Sequence, residues 1–137
     1  MINIARADSI RPAILVVDDS DVLRLSLVNW LETRFPECRV RAVDSGEAAL
    51  EEVRTLCPDV VLMDMDLPGI DGIEATRSIK FQAPRTAVVI LTVHDTPHHR
   101  LAAARAGAVA YVPKHKLDQR LHLVLEKLLR SHTGDSR

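Results

Sequence analysis

Several residue types are scarce in this 137-residue sequence, and each shortage excludes a class of protein. Aromatic residues make up 3% of the chain, so any core must be built from aliphatic side chains. The two cysteines, Cys38 and Cys57, lack CxxC spacing, which argues against a disulfide scaffold or a zinc knuckle. Lysine and arginine number 18 against 19 acidic residues, and this balance predicts no direct binding of nucleic acid.

Long apolar runs are missing as well. The longest runs have about five residues, whereas a membrane helix needs about 20. The N-terminal segment also lacks the apolar run of roughly 7–15 residues that marks a signal peptide. We therefore expect a cytoplasmic protein of one domain that makes no contact with a membrane.

Short apolar runs are present, and they predict the strands of a buried sheet. Four runs of about five residues are rich in β-branched types and bounded by polar residues or proline. Continuous apolarity is typical of a strand that is covered on both faces. A fifth segment, residues 38–43, alternates apolar residues with arginine and favours a half-exposed edge strand. The four buried runs are residues 13–17, 59–63, 87–91 and 108–112.

Segments with a helical spacing of apolar residues separate these strands, so a β-α unit is repeated five times. This alternation predicts an α/β domain in which helices cover both sides of a parallel sheet. The spacing of Asp44 to Glu47 resembles an N-terminal capping arrangement for the second helix. We expect the domain to span residues 13–130, with a flexible extension at 1–12 and a polar tail at 131–137. The predicted helices are residues 21–35, 47–56, 72–81, 97–106 and 117–130.

Four of the predicted strands are followed by polar or charged side chains. In chain order, Asp18 and Asp19 follow the first run, Asp64 the third, Thr92 the fourth and Lys114 the fifth. The carboxyl ends of parallel strands lie side by side at one edge of a sheet. We therefore expect these five side chains to meet in one shallow pocket.

The residue types in this pocket suit phosphoryl transfer to a carboxylate. Three crowded carboxylates repel one another and raise one another's pKa unless a cation lies between them. Their oxygen atoms suit a hard divalent ion, and the small number of ligands favours Mg²⁺ that keeps several waters. A lysine and a threonine offer a positive charge and a hydroxyl to a phosphoryl group, and an aspartate can be the nucleophile that accepts it.

Four motifs carry a resemblance to a known family: ILVVDDS at 14–20, VLMDMDLPGIDG at 61–72, ILT at 90–92 and AGAVAYVPK at 106–114. In this order they resemble the response regulator receiver domains of two-component signal transduction, the CheY-like family. They are most similar to the receivers of NarL/LuxR-type regulators. The resemblance implies a single doubly wound (βα)5 domain of flavodoxin-like fold, with sheet order 2-1-3-4-5. It also implies a phosphoacceptor that catalyses its own phosphorylation and dephosphorylation, rather than an enzyme.

The resemblance implies a role for each acidic residue of the pocket. Asp64 would be the phosphoacceptor, taking the phosphoryl group from a sensor histidine kinase or a phosphotransfer protein, and would also ligate Mg²⁺. Asp19 would be the direct Mg²⁺ ligand of the acidic pair, with Asp18 acting mainly through water. Asp66 would offer its backbone carbonyl to the same ion.

The resemblance also implies a switch. Thr92 would hydrogen-bond one phosphoryl oxygen, and Lys114 would pair with another. Movement of Thr92 would be coupled to Tyr111, changing the surface around the fourth helix, the fifth strand and the fifth helix. A downstream output protein or an output domain would read that surface. Asp66 and His94 would tune the lifetime of the phosphoryl group.

Three further questions stay open from the sequence. An apolar strand followed by Asp-x-Asp also occurs in phosphatases of the haloacid dehalogenase type, although there the nucleophile precedes the acidic pair. The chain is either a stand-alone receiver or the receiver fragment of a DNA-binding transcription regulator that lacks its output domain. Four apolar residues outside the main helix stripes are candidates for a homodimer surface: Leu25, Val28, Leu123 and Leu129.

Overall fold

The computed structural model describes the backbone of residues 11–135 and the side chains of residues 11–130. Within this range five strands alternate with five helices, as the sequence pattern predicts. The strands are β1 (Ala13–Val17), β2 (Arg39–Val43), β3 (Val60–Asp64), β4 (Ala87–Thr92) and β5 (Ala110–Pro113). The helices are α1 (Asp21–Arg34), α2 (Gly46–Leu56), α3 (Gly72–Gln82), α4 (Pro97–Ala106) and α5 (Leu117–Asp135), and a 3₁₀ turn (Lys114–Lys116) precedes α5.

The five strands form one parallel sheet in the order β2-β1-β3-β4-β5, which confirms the predicted doubly wound topology. The register aligns the ends of neighbouring strands. Val17 of β1 lies opposite Met63 of β3, and Thr92 of β4 lies opposite Pro113 of β5. The side chains that end or follow these strands are therefore brought to one edge of the sheet.

Helices cover both faces of the sheet, because the central strands are apolar without interruption. Successive side chains point to opposite faces, and this divides the core in two. Leu15 and Met63 pack on the face beneath α2, α3 and α4, whereas Ile14 and Leu62 pack beneath α1 and α5. Each fully buried aliphatic side chain contributes about 1.5–3 kcal/mol to stability. The outer strand β2 is only partly covered, as its alternating pattern predicts.

Side-chain caps fix where the helices begin, and one cap differs from the prediction. The Ser45 hydroxyl, rather than the Asp44 carboxylate, accepts the backbone N–H of Ala48 at the start of α2. The reason is local: the extended backbone of Ser45 directly precedes the first helical residue, which is the geometry of an N-cap. Asp71 caps α3 in the same way and accepts the N–H of Glu74 at 2.8 Å.

The last helix is longer than the pattern indicates. It runs through Asp135, beyond the predicted end at residue 130. Residues 1–10 of the predicted extension and residues 136–137 of the predicted tail lie outside the described residues, so the domain bounds stay predictions. None of the described helices is both long and apolar enough to cross a membrane.

Two of the four candidates for a homodimer surface are covered by the protein itself. Leu129 is buried and Val28 is partly buried, because α1 and α5 pack on the same face of the sheet. Leu25 and Leu123 remain 62% and 64% exposed. The candidate surface therefore keeps two of its four residues.

Candidate functional site

The carboxyl edge of the sheet gathers three carboxylates from two strands. Asp18 and Asp19 follow β1 directly, and Asp64 is the last residue of β3. One carboxylate oxygen from each residue lies within 4.8 Å of the other two. Asp18 and Asp64 are 1% and 3% exposed, whereas Asp19 faces solvent. Like charges this close in a buried site repel one another unless a cation neutralises them.

Lys114 supplies a positive charge in contact with this cluster. Its Nζ lies 3.1 Å from Oδ1 of Asp64 and 3.3 Å from Oδ2 of Asp18. Burial lowers the pKa of this ammonium, but its hydrogen bond to Asp64 and the charges of Asp64 and Asp18 outweigh burial. The net effect raises the pKa of Lys114 above its ordinary value. Lys114 is therefore protonated at neutral pH and bridges the two buried carboxylates.

The surroundings of Asp64 raise its pKa above the ordinary value of 3.8. Burial is the largest cause that raises the pKa of this carboxyl, and the charge of Asp18 adds to it. The contact with Lys114 and the N–H of Asp66, 3.3 Å from Oδ1, lower the pKa, but burial and the Asp18 charge together outweigh them. Three carboxylates against one ammonium leave an excess of negative charge. The donors therefore fit a hard divalent cation such as Mg²⁺.

The loop after β1 holds Asp18 and leaves Asp19 exposed. Oδ1 of Asp18 accepts the N–H of Ser20 at 2.8 Å. Arg24, which the sequence analysis did not single out, donates from its guanidinium to the Asp18 carbonyl at 2.8 Å. Arg24 also pairs with Asp21, and this i,i+3 spacing is the sequence signal that could have drawn attention to it.

Thr92 ends β4 and is fully buried, so its hydroxyl is engaged within the protein. Oγ1 accepts the backbone N–H of His94 at 2.9 Å and lies 3.6 Å from Sδ of Met65. The Tyr111 hydroxyl donates to the carbonyl of the same His94. Burial is the main cause that raises the pKa of Tyr111, so the phenol keeps its proton. Thr92 and Tyr111 are thus connected through one residue of the loop between β4 and α4.

The His94 side chain joins this loop to the turn after β3. Its Nε2 lies 3.0 Å from Oδ2 of Asp66. Its ring also stacks on His99 of α4, with centroids 4.8 Å apart and planes 11° from parallel. The two residues that the family resemblance associates with phosphoryl lifetime are therefore in direct contact, which their separate positions in the sequence did not indicate.

The turn after Asp64 depends on two glycines. Gly72 begins α3 so close to β3 that a Cβ there would lie 2.2 Å from the Asp64 carbonyl oxygen. Gly69 has a φ of +74°, a left-handed conformation that other residues rarely adopt. These glycines fix the path of the chain from Asp64 to the first turn of α3.

The site and fold agree with comparisons to known proteins. The model of the family described as "Response regulator receiver domain" matches residues 14–126. The chain therefore belongs to the response regulator receiver domain family of two-component signal transduction. This match also favours the receiver over the alternative of a haloacid-dehalogenase-type phosphatase.

Individual relatives support the same assignment. Response regulator GacA of Pseudomonas viridiflava is 41% identical over 101 residues, which cover 74% of this chain and 47% of the relative. Transcriptional activator protein ExaE of Pseudomonas putida is 38% identical over 101 residues, with the same coverage. The chain spans about half the length of the curated relatives it matches.

A solved structure shows the same fold. It is a two-component response regulator of the LuxR family from Aurantimonas sp. SI85-9A1, with a TM-score of 0.81 and 33% sequence identity. The alignment covers 87% of this chain and 85% of that one. The similarity confirms both the predicted receiver fold and the predicted likeness to LuxR-type receivers.

Proposed function

We propose that Asp64 is the phosphoacceptor of this receiver and that it takes a phosphoryl group from a sensor histidine kinase or a phosphotransfer protein. The observation that carries the proposal is the contact between Asp64 and Lys114 inside a cluster of three carboxylates. Lys114 and the N–H of Asp66 both contact Oδ1 of Asp64. Oδ2 is then the oxygen that attacks phosphorus.

The transfer uses groups that already surround Asp64. Oδ2 forms the new P–O bond while the P–N bond of a phosphohistidine breaks, and the electron pair of that bond leaves with the imidazole nitrogen. The Lys114 ammonium then pairs with one oxygen of the acyl phosphate. The Thr92 hydroxyl donates to another oxygen. Charges and donors fixed in a buried site act strongly on charge that develops there.

We assign Mg²⁺ to Asp19, Asp64 and the backbone carbonyl of Asp66, with Asp18 acting through water. When bound, the ion supplies charge neutralisation at the transferring phosphoryl group. The donor set supports this assignment, since carboxylate oxygens of Asp18, Asp19 and Asp64 lie within 4.8 Å of one another. The contact of Asp18 with Lys114 agrees with an indirect role for Asp18, and the exposure of Asp19 agrees with a direct one.

We also propose that the phosphorylation signal is passed to a partner protein through the surface formed by α4, β5 and α5. Phosphorylation adds about −1.5 to −2 charge and three strong hydrogen-bond acceptors. The Thr92 hydroxyl would exchange its contact with Sδ of Met65 for a phosphoryl oxygen and move with the His94 N–H that it accepts, and Tyr111 would follow because it donates to the carbonyl of the same residue. The loop before α4 then settles in a second arrangement, which a protein partner in the cytoplasm distinguishes from the first.

The nature of that partner is a further proposal. An output domain of a longer transcription regulator is favoured by the likeness to the relative named as a transcriptional activator. A separate output protein is the alternative. Leu25 and Leu123, both exposed, are the residues we assign to a homodimer contact. The chemistry on the chain itself is limited to its own phosphorylation and dephosphorylation.

The intact mass of the protein, measured after incubation with acetyl phosphate and Mg²⁺, tests the phosphoacceptor assignment. We expect a single phosphoryl adduct in the wild type. The Asp64→Asn variant and a wild-type sample containing a chelator should both lack it. An adduct that persists in Asp64→Asn would refute Asp64 as the acceptor. Steady release of phosphate from many donors would instead support the phosphatase.

A further inference from the structure

Glu47, in the first turn of α2, contacts the turn that follows Asp64. Its Oε2 accepts the backbone N–H of Ile70 at 3.3 Å, although the two residues are 23 positions apart. A Cβ built on Gly69 would lie 2.5 Å from the same oxygen and 3.1 Å from Oε1. The Glu47 carboxylate therefore lies directly against the backbone of Gly69 and Ile70.

A second contact joins the same two segments without involving Glu47. A Cβ on Gly46 would lie 2.7 Å from Cγ1 of Ile70 and 3.1 Å from the Ile70 carbonyl oxygen. The start of α2 is thus packed against this turn. The Ser45 cap fixes where α2 begins, and a carboxylate in the first turn of a helix is favoured by the helix dipole. The backbone that carries Glu47 is therefore held in place by this cap and this packing.

The turn that Glu47 contacts is the one that carries Asp66. At one end, the N–H of Asp66 bonds to Asp64, and the bond from the Gly72 N–H to the Met65 carbonyl, at 3.0 Å, closes the turn. At the other end, α3 begins. Between these ends, the bond from Ile70 to Glu47 holds the backbone of the turn to a neighbouring helix. Loss of this bond would leave the turn held by the Gly46 packing and the Gly72 bond, without a hydrogen bond to α2 at Ile70.

We propose that Glu47 is a positioning residue for the Mg²⁺ site. By holding the N–H of Ile70, it sets the path of residues 65–71 and with it the position of the Asp66 carbonyl. The inference rests on the proposed function, which takes that carbonyl as a ligand. Removing a group that orients a metal ligand directly costs about 10–100-fold in metal affinity. Because Glu47 acts through four residues of backbone, we expect a loss of roughly threefold to tenfold.

Calorimetric titration of Mg²⁺ into the unphosphorylated protein measures this effect without any phosphoryl transfer. The variants are Glu47→Ala, Glu47→Gln and a matched control, Glu51→Ala, which removes the same charge from an exposed position of the same helix. Glu47→Ala should weaken the Kd for Mg²⁺ by roughly threefold to tenfold. Glu47→Gln keeps an oxygen that accepts the Ile70 N–H, so its Kd should stay within about twofold of the wild type, as should that of Glu51→Ala.

Two further readouts separate positioning from a general loss of structure. Hydrogen exchange at the Ile70 amide should accelerate in Glu47→Ala and recover in Glu47→Gln. Melting temperatures without metal show whether each variant is folded, and the Gln variant keeps the test valid if Glu47→Ala is unstable. Equal weakening of Mg²⁺ binding in all three variants would indicate a charge effect and overturn the inference.

The outcomes also separate this inference from the proposed function. If the wild type binds Mg²⁺ and Glu47→Ala binds it equally well, Glu47 has no positioning role, while the phosphoacceptor site stands. If the wild type binds no Mg²⁺, the metal assignment of the proposed function is refuted and the role of Glu47 falls with it.

Discussion

Replacement of Lys114 by methionine tests the electrostatic account of the site most directly. The variant keeps an unbranched side chain but removes the ammonium that lies 3.1 Å from Asp64 and 3.3 Å from Asp18. Two buried carboxylates then face each other without a counter-charge. In the absence of Mg²⁺ we therefore expect Lys114→Met to be less stable than the wild type.

The magnitude follows from the burial of the three groups. Breaking a fully buried charge pair by removing one partner costs about 3–5 kcal/mol. The Lys114 side chain is 20% exposed, so solvent screens part of the interaction. Asp64 can also take up a proton, because burial already raises its pKa. We therefore expect a loss of about 2–3 kcal/mol, which lowers the melting temperature of a domain of this size by roughly 6–12 °C.

The dependence on pH has a definite sign. The pKa of Lys114 is raised in the folded state, so its stabilising contribution is complete below the ordinary value of 10.5 and is lost as the pH rises through the folded value. The difference between the wild type and Lys114→Met should therefore persist at neutral pH and shrink in strong alkali. It should also shrink in acid, where Asp64 becomes protonated, because burial raises the pKa of that carboxyl.

Urea unfolding with and without Mg²⁺ measures these effects. Mg²⁺ should restore part of the stability of Lys114→Met, because a divalent cation binds the folded site in place of the ammonium. A double variant that adds Asp64→Asn should recover stability relative to Lys114→Met, since only one buried carboxylate remains. The charge argument would be refuted if Lys114→Met matched the wild type within about 0.5 kcal/mol without metal.

Three further variants have definite expected outcomes. Asp64→Asn alone should raise the melting temperature in the presence of a chelator. Because the pKa of Asp64 is raised in the folded protein, wild-type stability falls as the pH rises from the ordinary pKa of 3.8 through the folded pKa, and the variant lacks this loss. An unchanged melting temperature would contradict this reasoning. Gly72→Ala should lower the free energy of unfolding, measured in urea, by about 1–3 kcal/mol, because its Cβ would lie 2.2 Å from the Asp64 carbonyl oxygen. A variant as stable as the wild type would contradict the observed packing. Tyr111→Phe should lose about 0.5–1.5 kcal/mol of folding stability, because its hydrogen bond to the His94 carbonyl is removed, but it should still form the phosphoryl adduct. Loss of the adduct would instead assign Tyr111 to the phosphoryl transfer itself.

Much of the fold is predictable because a parallel sheet constrains its sequence in a simple way. Strands covered on both faces must be apolar throughout, and this requirement makes β1, β3 and β4 visible within one residue at each end. The placement of Asp18, Asp64 and Thr92 then follows from topology alone, since the carboxyl ends of parallel strands share one edge.

The contacts between loops were not predictable from the sequence pattern. Whether Asp44 or Ser45 caps α2 depends on the backbone of a single residue, and the helix begins one residue earlier than its apolar spacing indicates. The bond from the Ile70 N–H to Glu47 joins residues 23 positions apart and depends on how α2 packs against a turn. The apolar periodicity of the sequence cannot predict this contact, because Glu47 and Ile70 do not belong to the same helix or strand.

Under the proposed function, the same distinction between sheet and loops would let one phosphoryl group act as a switch. In the loop between β4 and α4, the backbone N–H of His94 donates to Thr92 and the His94 carbonyl accepts from the Tyr111 hydroxyl, each bond worth about 0.5–1.5 kcal/mol. The His94 ring also makes an exposed pair with Asp66, worth about 0–1 kcal/mol. Hydrogen bonds to a charged phosphoryl oxygen are about twice as strong as neutral ones. Under the proposed function, an oxygen of a phosphoryl group at Asp64 would therefore draw the Thr92 hydroxyl proton away from Sδ of Met65. The buried strands would keep the geometry of the site while this loop changes.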